Sequence, residues 1–237
     1  MSRATAFITG AGPGTGAAIA RLFGESYNLI LMSRSLPGSL PSLKLDNVPE
    51  SNILPVTYDG TPECYKKAVA DAAKKWPGSE LKVGICNNGG PWIPGPFLEK
   101  TSEEFETTYE FARQGFDFSQ AVIPAMLKAG GGTLIFTGST SALRGSKGFA
   151  AMSPGAFSRR SLSQCLAREF QPQGIHVAHV VVDGQINTER VEKMMGKVGP
   201  DERLDPNDIA ATYMDLVKQR PSAWSQEIDI RPAKEKF

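Results

Sequence analysis

The stretch Thr9-Gly10-Ala11-Gly12-Pro13-Gly14-Thr15-Gly16 decides the fold. It follows the apolar run 4–8, whose β-branched and aromatic residues are typical of a short buried strand. The next segment, 17–23, carries apolar residues at helical spacing. A helix that begins at such a turn presents free N–H groups and a dipole that favours an anion, and glycines let a pyrophosphate approach the backbone. We therefore predict a dinucleotide site rather than a plain tight turn. Its residues are Gly10, Gly12, Gly14, Thr15 and Gly16.

The composition is ordinary for a soluble globular protein of one domain spanning 1–237, with 41% hydrophobic and 22% charged residues. A net charge of +1 gives no support for a nucleic-acid partner or an acidic membrane surface. No apolar stretch reaches the ~18–20 residues that span a bilayer. The first strand begins almost at once, so we expect no signal peptide and a cytoplasmic location. Three cysteines and two histidines lack metal-ligand spacing, so we predict no metal site.

Apolar strand-like runs alternate with helical segments along the chain. This order predicts an α/β fold, a single-domain Rossmann doubly wound parallel sheet of about seven strands with helices on both faces. We expect strands at 4–8, 27–32, 53–57, 81–86, 133–137, 174–182 and 224–230. We expect the later helices at 61–76, 102–128, 150–170 and 205–219. Residues 36–50 are predicted to be a loop, and 186–204 a small mobile segment on the substrate side.

The second strand ends at Ser33, Arg34 and Ser35. An acid at this position binds the ribose hydroxyls of NAD, whereas a basic residue accommodates the 2′-phosphate of NADP. No acid is present and Arg34 is, so we predict that these three residues bind NADP(H). The alternative is that Arg34 is a solvated surface arginine.

Further markers follow the later strands, namely Asp59, Asn87-Asn88-Gly89, Ser139, and Gly184 with Thr188. With the glycine turn, they make the chain resemble the short-chain dehydrogenase/reductase family over essentially its whole length. The resemblance implies that Asp59 contacts adenine and that Asn87, Asn88 and Gly89 pack against the adenosine ribose. It also implies that Ile186 and Thr188 hold the nicotinamide carboxamide and the pyrophosphate. A homodimer or homotetramer through the two long helices is implied as well. Asp59 is alternatively a turn residue at a helix start.

The family's catalytic group does not carry over. The family has Tyr-x-x-x-Lys at the start of the helix after the fifth strand, and counting from Ser139 places these positions on Met152 and Ala156. Its catalytic asparagine falls near Ala112, so only Ser139 remains. In the family, tyrosine donates a proton to the carbonyl oxygen and lysine lowers its pKa. The chain therefore resembles a divergent subgroup that lacks the catalytic Tyr and Lys.

Reduction of a cationic C=N group needs no proton donor, because the hydride neutralises a charge that is already present. Asp183 stands where the family usually has proline, and we predict that it stabilises such a cation; alternatively, it braces its loop. Ser139 is predicted to bond substrate, or else to terminate its strand. Arg113 and Arg144 are candidate anchors for a polar group.

Four apolar residues are predicted to form a pocket for a hydrophobic, indole-sized small molecule. They are Trp92, Phe149, Met152 and Met194. In its losses the chain is similar to the reductase/Diels–Alderases of fungal bridged-diazaoctane indole alkaloid pathways, which reduce a cationic nitrogen heterocycle and guide a cycloaddition. Three hypotheses stay open at this point: a reductase of a cationic C=N, a carbonyl or enone reductase with another proton donor, and a non-catalytic NADP(H)-binding sensor or partner subunit.

Overall fold

The computed structural model describes residues 3–234, which form one seven-stranded parallel sheet in the order β3-β2-β1-β4-β5-β6-β7. The strands are β1 Thr5–Thr9, β2 Asn28–Ser33, β3 Ile53–Thr57, β4 Leu81–Cys86, β5 Gly132–Ser139, β6 Ile175–Val182 and β7 Glu227–Ile230. The helices are α1 Thr15–Gly24, α2 Glu63–Lys75, α3 Ser102–Lys128, α4 Ser153–Phe170, α5 Glu189–Met195 and α6 Pro206–Lys218. This is the predicted Rossmann-like single-domain fold.

Helices cover both faces of the sheet, because successive strand side chains point to opposite sides. Ile8 packs with residues of α1 and α6 on one face, and Phe7 packs with residues of α2 and α3 on the other. All eight residues of β6 are buried, as expected for a strand covered on both faces. The sheet therefore has two apolar cores and presents its functional side chains at strand ends.

The predicted element bounds differ from the structure at a few places. β5 continues to Ser139, because its ladder with β6 extends to the Ser139–Val182 pair. α4 begins at Ser153 rather than at residue 150, with Pro154 in its first turn. Within the loop 36–50, Leu36 and Leu43 are buried in the core, so this loop is packed and not an unstructured surface excursion.

Strand order reverses between β1 and β4, which lie side by side although two strands separate them in the chain order. Ligands of open α/β sheets bind outside the carboxyl ends of the strands at such a switch point. No helix among residues 3–234 is long and apolar enough to cross a bilayer. In the same part of the chain, no three metal-binding side chains come together.

Candidate active site

The glycine turn between β1 and α1 is tightly packed and needs glycine at two positions. Gly10 has φ +64°, and a Cβ there would lie 2.4 Å from the Asn87 carbonyl oxygen. A Cβ on Gly16 would lie 2.3 Å from the Gly10 carbonyl oxygen. Gly12 differs, because the nearest atom to its Cβ position is 4.0 Å away. Gly10 and Gly16 thus shape the turn, and Gly12 leaves its outer surface open to a ligand.

The N-terminus of α1 is an uncapped anion site. Its N-cap, Gly14, has no capping side chain, and the first turn carries no acid. The first N–H groups of a helix have no intrahelical acceptor, and the dipole there is positive. Gly14, Thr15 and Gly16 line a cavity of about 1030 Å³, here called the central cavity, which also contains Gly12 and Thr188. These features fit the pyrophosphate of a dinucleotide.

A chain of hydrogen bonds holds the turn from behind. Asn87 donates from Nδ2 to the Gly10 carbonyl at 3.2 Å, and its Oδ1 accepts from Thr137 at 3.0 Å. The Thr137 hydroxyl also bonds the Tyr213 hydroxyl at 2.7 Å. Both amide atoms of Asn87 are therefore used within the protein, so its side chain braces the turn.

Asn88 has a different arrangement. Its Nδ2 donates to Gln114 Oε1 at 2.6 Å, and its buried Oδ1 has no partner among the described residues. Asn88 and Gly89 line both the central cavity and a neighbouring cavity near the end of β2. Asn88 thus contributes to the walls of both cavities, with its side-chain amide held by Gln114.

The neighbouring cavity, here called the Arg34 cavity, measures about 520 Å³ and is lined by Ser33, Arg34 and Ser35. Arg34 is exposed, and it makes no ion pair or side-chain hydrogen bond with any residue between 3 and 234. Its guanidinium is thus free to meet a phosphate at the cavity wall.

The structure does not place Asp59 in this cavity. Its Oδ1 accepts from the Thr61 backbone N at 2.9 Å and from the Thr61 hydroxyl at 2.7 Å, just before α2. These hydrogen bonds, led by that from the Thr61 side chain, lower the pKa of Asp59. The adenine contact implied by the family resemblance is therefore corrected to a turn role, and Tyr58 lines the cavity instead.

The segment after β6 closes one side of the central cavity. Ile186 and Thr188 line it as predicted, and the Thr188 hydroxyl also caps α5 by accepting from Val191 N at 3.3 Å. Met194 lies on this wall rather than beside Trp92, because α5 carries it to the central cavity. Arg190, which the sequence patterns did not single out, lines the same wall.

A third cavity of about 490 Å³, here called the Met152 cavity, joins the central cavity at Ser139. Met152 and Ala156 line it, at the two positions where the family resemblance expects tyrosine and lysine. The Trp92 and Phe149 rings meet edge to face there, with centroids 5.5 Å apart. Within the described residues, its wall contains no tyrosine, lysine, histidine or acidic side chain. Its polar groups are the hydroxyls of Ser139, Thr140, Ser141, Ser146 and Thr108 and the amide of Gln185.

Asp183 is not part of this wall, and its predicted role beside the substrate is corrected. Its side chain is only 2% exposed and pairs with Arg231 at 2.5 Å and with Arg144 at 3.5 Å. Oδ1 also accepts from the Thr140 hydroxyl. A buried carboxylate requires such partners, and here they neutralise it. Asp183 therefore braces its loop, and Arg144 lies outside the cavities as its partner.

Arg113 is also displaced from the site. It lies on α3, half exposed, and pairs with Glu110 at 2.5 Å one turn away. Its neighbour Phe111 lines all three cavities instead, and Gln114 lines the Arg34 cavity. Because an α-helix has 3.6 residues per turn, residues 111 and 114 face the cavities and residue 113 faces away from them. The sequence pattern did not determine which side of α3 faces the cavities.

Comparisons with known proteins agree with this cleft. Residues 4–198 match the family model described as short chain dehydrogenase. The chain is 28% identical over 230 residues to the short chain dehydrogenase mpl6 of Monascus purpureus, which covers 92% of this chain and 76% of that protein. It is 27% identical over 163 residues to 3-ketodihydrosphingosine reductase of Dictyostelium discoideum, covering 65% of this chain and 48% of that protein.

Solved structures give the same result. A short-chain dehydrogenase from Rhodopseudomonas palustris is 30% identical with a TM-score of 0.79, covering 98% of this chain and 100% of that one. A metagenomic short-chain oxidoreductase in complex with NADP is 20% identical with a TM-score of 0.79, covering 98% of each chain. Since the family model spans most of the chain and the glycine turn opens on the expected cleft, this protein belongs to the short-chain dehydrogenase/reductase family of nicotinamide-dependent oxidoreductases.

Proposed function

We propose that this protein is an NADP(H)-dependent reductase whose substrate is a hydrophobic molecule bearing a preformed cationic C=N group, of the iminium type. One observation carries the proposal. The Met152 cavity, which adjoins the glycine turn at Ser139, has no ionisable side chain on its described wall, and Met152 and Ala156 occupy the positions of the family's proton donor and its lysine.

The chemistry of the acceptor explains why this matters. A ketone becomes an alkoxide when it takes a hydride, so it needs an acid or an oxyanion stabiliser. Methionine has no transferable proton and alanine no charge. A cationic C=N becomes a neutral amine on taking the hydride and requires neither group. The residues present therefore favour the cationic acceptor.

The residues that would hold the cofactor are those of the cleft. The α1 N-terminus with Gly12 would take the pyrophosphate, Asn88 would pack against the adenosine ribose, and Arg34 would take a 2′-phosphate. When bound, the cofactor supplies the hydride. The chain's own contribution is to orient the two reactants and to exclude water from the Met152 cavity.

With Asp183 neutralised by arginines, aromatic rings take over the recognition of a cation in this proposal. Trp92 and Phe149 present π-faces and edges at the cavity, and a cation over such a face gains roughly 0.5–2 kcal/mol. The same apolar walls would suit an indole-sized substrate. We extend the proposal to guidance of an intramolecular Diels–Alder cyclisation, which would need only shape and preorganisation.

The test compares matched substrates. NADPH oxidation is measured with a cyclic iminium, such as a dihydro-β-carbolinium, and with the cyclic ketone of the same ring skeleton. We expect turnover of the iminium only. The M152Y/A156K double variant, which returns a proton donor to the wall, is expected to gain ketone turnover, and Met152→Phe, a ring without the hydroxyl, is expected to gain none. Turnover of the ketone alone by the unmodified protein would overturn the proposal.

The hydroxyl groups of the Met152 cavity favour a second candidate, a carbonyl or enone reductase in which Ser139 or a neighbouring hydroxyl delivers the proton. A solvent deuterium isotope effect separates the two, because only the carbonyl reaction moves a solvent-exchangeable proton in its transition state. NADPH binding without turnover of any substrate would support the non-catalytic sensor or partner.

We also propose that the protein is a homodimer or homotetramer. The outer surfaces of α3 and α4 expose large aromatic side chains, including Phe116 at 50% and Phe157 at 41%. Such side chains are enriched at protein interfaces. Light scattering tests this, and the F116E/F157E variant is expected to lower the measured mass.

A further inference from the structure

Arg159 is a buried cation directly behind the cleft. It lies on α4 one turn after Ala156, and its side chain is fully buried. Nη1 donates to the Asn88 carbonyl at 2.9 Å, and Nη2 donates to the Phe111 carbonyl. Its Cζ lies 3.3 Å from the centroid of the Phe111 ring, and Nε has no hydrogen-bond partner among the described residues.

No carboxylate compensates this charge within residues 3–234. The adjacent Arg160 offers a contrast, since its Nε and Nη2 each donate to a carboxylate oxygen of Glu227 at 2.7 Å. Burial lowers the pKa of Arg159, but a guanidinium keeps its proton under ordinary conditions. A buried charge without a counter-ion is costly, so an anion placed nearby would be stabilised.

The partners of Arg159 show where that anion belongs. Asn88 lines the central and Arg34 cavities, and Phe111 lines these two and the Met152 cavity. The guanidinium thus contacts the wall of the cleft from the protein side, where solvent and salt screen its field little. Its hydrogen bond to the Asn88 backbone also fixes a residue that lines two of the cavities.

We propose that Arg159 is a positioning residue for the dinucleotide, which holds Asn88 and Phe111 in place and supplies the positive charge that the ligand's phosphates neutralise. This inference rests on the proposed binding of NADP(H). In this proposal, part of the affinity for NADP(H) comes from a side chain outside the cavities and not from the glycine turn.

The test measures NADPH dissociation constants by fluorescence titration for the unmodified protein and for three variants. Arg159→Lys keeps the charge, Arg159→Gln keeps a hydrogen-bond donor without charge, and Arg159→Met keeps neither. Arg168→Gln removes an exposed arginine on α4 that lines none of the three cavities, and it serves as the control. Thermal melting without ligand establishes that each variant folds.

We expect Arg159→Gln and Arg159→Met to bind NADPH at least tenfold more weakly, Arg159→Lys within threefold of the unmodified protein, and Arg168→Gln unchanged. Rescue by lysine is the readout that a purely structural role would not give. Equal losses for lysine and glutamine, or unchanged affinity for glutamine, would overturn the inference while leaving NADPH binding intact. Failure of both neutral variants to fold would make the role structural and would also overturn it. If the unmodified protein does not bind NADPH, the proposed function fails first.

Discussion

Removing the charge of Arg34 is the sharpest test of the choice between NADP(H) and NAD(H). Arg34 is exposed, lines the Arg34 cavity with Ser33 and Ser35, and has no ion pair among the described residues. Arg34→Gln therefore leaves no buried partner uncompensated, and we expect the free energy of unfolding to stay within about 0.5 kcal/mol of the original value.

The expected loss of affinity follows from the contact that would disappear. A hydrogen bond between a charged donor and a phosphate contributes about 1.5–3 kcal/mol, and an exposed guanidinium belongs at the lower end. We therefore expect NADPH to bind roughly 10- to 30-fold more weakly, since about 1.4 kcal/mol corresponds to tenfold. NADH lacks the 2′-phosphate, so its dissociation constant should not change.

Fluorescence titration of NADPH and NADH against the original protein, Arg34→Gln and Arg168→Gln provides the measurement. Arg168→Gln removes the same charge from the exposed surface of α4, where Arg168 donates to the Gln164 carbonyl at 2.9 Å, and controls for the overall field of the protein. Equal weakening of both cofactors, or no weakening of NADPH, would refute the assignment of Arg34 and leave it a solvated surface residue.

Three further outcomes are expected. Gly12→Ala should leave the melting temperature within about 2 °C of the original value, because the added Cβ has open space in the fold. The same Cβ obstructs the ligand, so NADPH should bind at least about tenfold more weakly. Gly16→Ala should lower the melting temperature itself, because its Cβ would lie 2.3 Å from the Gly10 carbonyl oxygen. Burial lowers the pKa values of His176 and His179, so the unfolded chain binds protons more readily than the folded protein does. The free energy of unfolding should therefore fall as pH drops from about 7 to 5.5. In calorimetry, His176→Asn should show a shallower dependence of this stability on pH. Asp183→Asn should destabilise the fold by about 1–3 kcal/mol in urea, because it removes the buried carboxylate that pairs with Arg231 and Arg144, and unchanged stability would contradict the bracing role.

The sequence was sufficient for the fold because its signals are local. The glycine turn and the apolar run of each strand report backbone requirements of neighbouring residues, and β3, β4 and α3 begin and end where the pattern predicts. The continuation of β5 to Ser139 could not be predicted from its own residues. It depends on the ladder with β6, which continues to the Ser139–Val182 pair.

Parts of the site could not be predicted because they depend on partners distant in the chain. From the sequence alone, Asp183 is expected to be a free carboxylate. In the fold, Arg231 Nη2 lies 2.5 Å from its Oδ2. Arginine is mostly exposed in proteins, so nothing in the sequence marked Arg159 as fully buried. Met152 and Ala156, by contrast, were found by counting from Ser139 with the spacing that the family resemblance implies, and the structure places both on the cavity wall.

The charges around the cleft bear on which substrate it suits. Arg34, Arg190 and Lys193 line it together with Glu110 and Glu189, Arg159 lies behind it, and the described wall of the Met152 cavity has no acid. The basic side chains favour the phosphates of a dinucleotide, and the Met152 cavity itself gives no direct Coulomb attraction to an iminium. Hydride transfer to an iminium, however, only moves one positive charge from the substrate to the nicotinamide. Because the number of charges in the cavity is the same before and after the step, a fixed, unresponsive wall can serve that reaction. Hydride transfer to a ketone creates a new pair of opposite charges, and the developing oxyanion would find only neutral side-chain donors on that wall, namely hydroxyls, one amide and the Trp92 indole.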